Sequence, residues 1–559
     1  MPRTHIFSGL AILFILFSQS RADDYMRQLQ SDAIASGKAS FGHWGVDPDD
    51  YTNWTSHSNR LIPVYAYGTK AAGDGIDLND YRKKNSPYRS EDSLRRIYGR
   101  LPEQTVNANA TWMDQTNIAD IQRAAIQAGR RYVFLVVFDG MDWDTTRAAA
   151  IYNQKAVTYV KGKGTGTHFQ EYKAHGTAQF GLMVTSPHNE GTDVDVDQQT
   201  VKNPGGKFFG GYNAQLAGTS PWDTPSDMGY LIAKPADGHV RHAYTDSSSS
   251  ATSMTVGTKT YNNAITVDFN GEPLSAIAHE VQADGWAVGV VSSVPISHAT
   301  PASAYAHNVH RNDYQDISRD MLGLPSVFHP ETPLPGLDVV IGGGYGTLAE
   351  TSRDQGKNFE AGNQYLAGSD LEKVSTVNGG RYVTAVRAPG QCGSQRLAEA
   401  AALASHGGHR LLGFYGMGQY NGHLPFQTAD GNFDPAPGVK KKAEEYTAAD
   451  LNENPNLAEM TTAALTVLES RKTNFWLMVE AGDVDWANHD NNIDCSIGAV
   501  NSGDAAVKVL TDWVEANSNW QESLMIITAD HGHLLNLTHP ELLAGPPPTP
   551  NSDVNAASE

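Results

Sequence analysis

The chain has 559 residues, 40% of them apolar, enough for one large domain or for roughly two to four ordinary ones. Asp and Glu number 62 against 41 Lys and Arg, a formal charge of −21, which argues against the basic face that a nucleic-acid binder needs. If the ligand is an anion, its attraction has to come from bound cations or from a few arginines.

In chain order, Pro2-Arg3 and the apolar run from Ile6 to Phe17 read as a secretory signal too short to span a bilayer. Residues 1–22 are assigned to it, with cleavage at Ser20-Arg21-Ala22 and an uncleaved anchor as the alternative. The mature chain is then secreted or periplasmic, and no later stretch could span a membrane. Residues 23–60 are polar and mixed. His57 precedes the β-like run Leu61-Ile62-Pro63-Val64-Tyr65-Ala66-Tyr67-Gly68. Residues 69–118 look like loops and a short helix, and a helix is expected from Ile118 to Ala128. Tyr132 to Phe138 is an uninterrupted apolar run, the pattern of a strand buried on both faces in a parallel sheet. It ends at Asp139-Gly140, and a helix is expected from about Thr145. Residues 155–240 are rich in Gly, Thr, Asp and Asn and read as a loop-rich insertion on the surface of the sheet. Asp193, Asp195 and Asp197 alternate within it. A solvated strand or loop explains them better than calcium, which needs six or more oxygens.

His242-Ala243-Tyr244-Thr245-Asp246-Ser247 and the small residues to Thr252 suit the start of a helix. A serine there would face an anion with free N–H groups behind it. A hydroxyl is a weak nucleophile until a base or a metal activates it. Further strands are expected at Trp286 to Val291, Leu337 to Ile341, Leu411 to Tyr415, Asn474 to Val479 and Leu524 to Thr528. Helices are expected at Asn456 to Arg471 and Gly498 to Ala516, and residues 416–450 form a second loop-rich insertion. The tail 545–559, with Pro546-Pro547-Pro548, is expected to be disordered. Cys392 and Cys495 are the two cysteines, open to one disulfide or to two free thiols. This alternation predicts an α/β domain over 23–544, a doubly wound, mostly parallel central sheet flanked by helices on both faces.

Asp139, Glu480, Asp530 and His531 each follow an apolar strand. In open α/β sheets the carboxyl ends of strands form the ligand-binding edge, so these residues converge there. Asp485 and His489 lie one helical turn apart. Carboxylate with imidazole suits zinc; Asp, Glu and Thr oxygens suit magnesium.

With these residues in view, the chain resembles the alkaline phosphatase family. The resemblance rests on Phe138-Asp139-Gly140-Met141, Thr245-Asp246-Ser247, Gly257-Thr258-Lys259-Thr260-Tyr261-Asn262, His298-Ala299-Thr300-Pro301-Ala302, Tyr305-Ala306-His307, Arg311-Asn312, Val479-Glu480 through Asp485 to His489, and Thr528-Ala529-Asp530-His531-Gly532-His533. It covers most of residues 131–535. It implies hydrolysis of small phosphomonoesters through a phosphoserine, with two zincs and one magnesium. Ser247 would be the nucleophile, and Arg311 would grip two phosphate oxygens. Asp139, Asp530 and His531 would bind the zinc beside Ser247. Asp485 and His489 would bind the other zinc, and Asp139, Thr300 and Glu480 the magnesium. His298, Trp486 and His533 would stand just behind the ligands. His298 would weaken magnesium or invite a third zinc. A homodimer is compatible with the family, which is often dimeric.

One ligand departs from the pattern. The family's remaining zinc histidine lies far downstream, before a C-terminal strand like Pro-Val-Tyr-Ala-Tyr-Gly. Here only His533 and His539 remain downstream of His531. The matching run starts at His57 instead, so the sequence suggests a circular permutation in which 61–68 is the displaced strand and His57 the missing ligand. The rival readings are a phosphodiesterase of the same superfamily and an inactive secreted protein that binds phosphate or metal.

Overall fold

The computed structural model describes residues 24–233, 241–439 and 442–545. The assigned signal segment, 1–22, and all but the first residue of the tail expected to be disordered lie outside the described residues. Among the described residues no helix is long and apolar enough to cross a membrane.

Ten strands form the central sheet. They are β1 (Ile62–Tyr67), β2 (Met113–Asp114), β3 (Tyr132–Phe138), β4 (Gln179–Val184), β5 (Ala287–Pro295), β6 (Val339–Gly343), β7 (Tyr382–Val386), β8 (Arg410–Phe414), β9 (Phe475–Ala481) and β10 (Ser523–Thr528). Their spatial order is β7-β8-β6-β5-β9-β3-β10-β1-β4-β2. Neighbours are parallel except where β1 meets β10 and β4, so β1 alone runs against the rest. The central strands are buried on both faces, which is why β3 and β9 read as apolar runs rather than alternations. Each fully buried Val, Leu, Ile or Phe there contributes about 1.5–3 kcal/mol of burial free energy.

The principal helices are α1 (Tyr25–Ser36), α2 (Asn117–Gln127), α3 (Trp143–Gln154), α4 (Ser247–Val256), α5 (Ala299–Ala302), α6 (Tyr314–Leu322), α7 (Gly393–Gly407), α8 (Leu457–Ser470), α9 (Asp483–His489) and α10 (Ile493–Asn517). Both faces of the sheet are covered. The Trp476 indole donates to Gln122 of α2 at 2.8 Å, whereas Leu477, the next residue of β9, meets Leu468 of α8 around Gly289. Successive strand residues point to opposite faces, so α2 and α8 lie on opposite sides. α8 starts at a reciprocal cap between Asn456 and Glu459, a strong local start signal.

The expected doubly wound α/β sheet is what forms. Part of the 155–240 stretch departs from a surface excursion, because β4 is hydrogen-bonded into the sheet between β1 and β2. Gln179 and Gly181 interrupt its apolar run, and its place is fixed by pairing rather than by pattern. Asp195 lies in a short hairpin and pairs with Lys202, while Asp197 pairs with Lys357, as expected of a solvated turn. β7 and α7 carry weak sequence signals and were not anticipated. Cys392 and Cys495 are not joined.

Candidate active site

Three adjacent central strands, β9, β3 and β10, deliver Glu480, Asp139 and Asp530-His531 to one edge of the sheet. Parallel strands carry all their carboxyl ends to that edge. β1 runs the other way, so the segment that precedes it, from His57, arrives at the same edge. Pairing of Val64 with Thr528 fixes this register.

α4 brings Ser247. Asp246 is its N-cap and accepts the Ser249 N–H at 3.0 Å, and Gly257 ends it in the left-handed conformation. All ten residues of α4 are buried. A serine-rich helix has poor intrinsic propensity. Here the small side chains permit close packing, and the Ser250 hydroxyl donates to the Asp530 carbonyl at 2.7 Å. Ser247 Oγ lies 3.2 Å from His531 Nε2. Arg311 donates to Asp246 through Nη1 at 2.8 Å. Burial works to raise Asp246, but Arg311 together with the Ser249 N–H and the Ser248 hydroxyl outweighs it and holds the carboxyl below the usual range.

Behind Ser247 the carboxylates gather. His531 Nε2 is 3.3 Å from Asp139 Oδ1 and 3.4 Å from Asp530 Oδ2. Gly140 N–H donates to Asp530 Oδ1 at 2.9 Å. The Thr300 hydroxyl is 3.3 Å from Asp139 Oδ2, and the Ser292 hydroxyl donates to Glu480. Burial pushes Glu480 up to about 8 and Asp530 up to about 6, and with neighbouring Asp530 and Asp485 it raises Asp139 strongly. Such a cluster stays ionised only beside a cation.

The second group centres on Asp485. His533 Nε2 lies 2.7 Å from its Oδ1, His489 Nε2 3.4 Å and His57 Nε2 3.7 Å. Burial would raise Asp485, but His489, His533 and His531 together hold it well below the usual range. His57 and His489 approach through their Nε2 atoms at 3.2 Å. His57 Nδ1 faces the Thr245 carbonyl at 2.9 Å and His489 Nδ1 the Thr55 carbonyl at 2.7 Å. A carbonyl only accepts, so both protons sit on Nδ1 and two Nε2 lone pairs point at each other. Burial and the neighbouring histidines push His57 down to about 3, which keeps that ring neutral. A metal ion between the two nitrogens would satisfy both lone pairs, with the carbonyls fixing both rings.

Two groups at this edge of the sheet therefore fit metal ions, His57–Asp485–His489–His533 and Asp139–Asp485–His531, with ligand atoms within 4.8 Å of one another and Asp485 common to both. Asp139 Oδ1, Glu480 Oε1 and Asp530 Oδ2 are buried without a hydrogen-bond partner, as expected of ligand atoms. His298 and Trp486 pack edge-to-face at 5.7 Å and belong to neither group. His298 is pushed down to about 3, by burial and then by Arg311. His539 is exposed and pairs with Glu541, outside both groups. The structure thus brings together His57, Asp139, Ser247, Thr300, Glu480, Asp485, His489, Asp530, His531 and His533. Sequence reasoning missed two positioning groups: Asp246 as the partner of Arg311, and Ser292 on Glu480. An Asp directly before a serine run is a recognisable N-cap signal; Ser292, inside a strand, gave none.

A family model described as alkaline phosphatase matches residues 222–547. The chain is 27% identical over 306 residues to alkaline phosphatase 4 of Bacillus subtilis, covering 54% of this chain and 52% of that one. It is 30% identical over 320 residues to alkaline phosphatase H of Pseudomonas aeruginosa, covering 54% and 60%. The solved alkaline phosphatase of Thermus thermophilus aligns over 72% of this chain and 60% of its own, at 21% identity and a TM-score of 0.43. The chain spans just over half the length of the curated relatives it matches.

Proposed function

The chain belongs to the alkaline phosphatase family, and from that membership we propose that it hydrolyses phosphate monoesters to an alcohol and inorganic phosphate through a phosphoserine on Ser247. The observation that carries this reading is Ser247 at the N-terminus of a buried helix, 3.2 Å from a histidine of the carboxylate–imidazole cluster.

In this reading Asp139, Asp530 and His531 hold the zinc beside Ser247. Asp485, His489 and His57 hold the second, and Asp139, Thr300 and Glu480 hold magnesium or a third zinc. When bound, the metals supply the positive charge that stabilises the attacking and leaving oxygens of an in-line displacement. The chain's own groups do the rest. The N–H groups and dipole of α4 favour a phosphate dianion next to Ser247. Asp246 fixes Arg311 so that its planar fork meets two phosphate oxygens. His533, hydrogen-bonded to Asp485, orients that carboxylate. We also read His57 to Gly68 as the family's C-terminal element in permuted position. The antiparallel place of β1 beside β10 supports that reading. The signal-like residues 1–22 support export to a secreted or periplasmic site.

The test is phosphate trapping. Brief incubation with a radiolabelled phosphomonoester at acid pH should label the peptide that carries Ser247. Ser247→Ala should lower turnover roughly 10⁴-fold or more with metal content unchanged. Label on another residue, or turnover surviving in Ser247→Ala, would overturn the assignment. Faster cleavage of a nitrophenyl diester than of the monoester would point to a phosphodiesterase instead.

A further inference from the structure

Away from the candidate active site, a second set of metal-type side chains closes on itself. His307 lies in the loop between α5 and α6, Asp320 near the end of α6, and His329 in the loop that follows. His307 Nδ1 is 2.9 Å from His329 Nε2, and His329 Nε2 is 3.8 Å from Asp320 Oδ2. The ligand atoms of all three lie within 4.8 Å of one another. Two ligands of a tetrahedral zinc, each about 2.05 Å from the ion, stand about 3.3 Å apart, so these separations bracket what one ion needs.

The surrounding hydrogen bonds prepare the ligands. His307 Nε2 donates to the Leu274 carbonyl at 2.8 Å, which leaves the Nδ1 lone pair directed at His329. The nearby His279 is already committed: its Nδ1 accepts the Ala276 N–H and its Nε2 donates to the Tyr305 carbonyl. A proton shared between His307 and His329 would account for those two rings alone. It leaves Asp320 unexplained. That side chain is fully buried, with its carboxyl pushed up to about 8 by burial despite the Ser326 hydroxyl beside it; Oδ2 accepts the His307 backbone N–H at 2.9 Å, and Oδ1 makes no hydrogen bond of full geometry. Arg319, the adjacent cation, is directed to Asp316 and Asp370. A buried carboxylate beside two imidazoles, without a lysine or arginine partner among the described residues, is a ligand set for a divalent transition metal.

We propose that His307, Asp320 and His329 bind a structural zinc ion distinct from the active-site metals. None of its ligands is shared with the first cluster, so the proposal stands independently of the phosphatase reading. The half-buried His329 leaves the fourth coordination position within reach of water. The ion ties the loop after α6 to the loop that carries both His307 and Arg311, so it braces the segment that presents the guanidinium.

The experiment compares the zinc content of purified wild type, His329→Ala and Asp320→Asn after dialysis against trace zinc, by plasma mass spectrometry. The expected result is a full equivalent of zinc fewer per chain in both variants. Anomalous diffraction at the zinc edge on wild-type crystals should place a peak between His307 Nδ1 and His329 Nε2, a readout that does not depend on either variant folding. Equal zinc content in all three proteins overturns the proposal. So does an anomalous map with peaks at the His57–His489 pair and none here.

Discussion

His57→Ala tests both the chemistry and the connectivity. The contacts of the ring include Nε2 to His489 at 3.2 Å, Nε2 to Asp485 at 3.7 Å, Nδ1 to the Thr245 carbonyl at 2.9 Å, and a stack on His531 at 3.6 Å between centroids. Removing an outer-shell partner of a metal ligand costs about 10–100-fold in affinity or activity. Removing a ligand atom should cost at least the upper figure, about 2.7 kcal/mol. The lost hydrogen bond to Thr245 adds only about 1 kcal/mol of destabilisation, small against the roughly 5–15 kcal/mol of a typical domain, so the variant should still fold. Zinc is counted by plasma mass spectrometry, turnover is followed on p-nitrophenyl phosphate, and folding is checked by circular dichroism. The expected outcome is a folded protein that has lost one zinc and at least about 100-fold in kcat/KM. Full zinc and full turnover in a folded His57→Ala would falsify the ligand assignment. The second metal would then have to be sought at His533.

Gly140→Ala places a Cβ 2.7 Å from His533 Nε2 on a backbone with φ of +72°. The strained conformation costs about 1–2 kcal/mol, and the displaced His533 should lower turnover about 10-fold or more; unchanged melting and turnover would show that the turn is not constrained as described. Asp494 lies buried in the first turn of α10, and burial pushes its carboxyl up to about 7 from 3.8. The folded chain keeps this proton where the unfolded chain has released it, so the contribution is complete below about pH 4 and is lost as pH rises to about 7, at about 1.4 kcal/mol per unit. Asp494→Asn should flatten that part of the stability curve in urea melts at stepped pH; an unaltered slope would refute the shift. The Tyr25 hydroxyl donates to the Leu542 carbonyl, so the first and last described helical segments lie side by side. Joining residue 545 to residue 24 through a short linker and reopening the chain before Gly73 should therefore give a folded protein with wild-type zinc and turnover. An insoluble or metal-free product would count against the permuted reading.

The sequence alone determined the strands that end in chemistry. β3, β9 and β10 are buried on both faces, so their apolar runs are unbroken, and Asp139, Glu480 and Asp530-His531 stand where those runs stop. The start of α4 was legible for a similar local reason: an N-cap aspartate before a run of small side chains. β4 and β7 were not legible as sheet strands, because their apolar runs are short or interrupted and pairing, not pattern, holds them. The placement of His57 was suggested by a motif, but only the tertiary structure decided it. β1 joins the sheet against the direction of its neighbours, and that reversal carries the segment before it to the edge where parallel strands end. The facing Nε2 atoms of His57 and His489, the grip of Asp246 on Arg311 and the His307–Asp320–His329 cluster all join residues distant in sequence or split between loops. No local pattern encodes such contacts; they exist only once the sheet has fixed where each loop emerges.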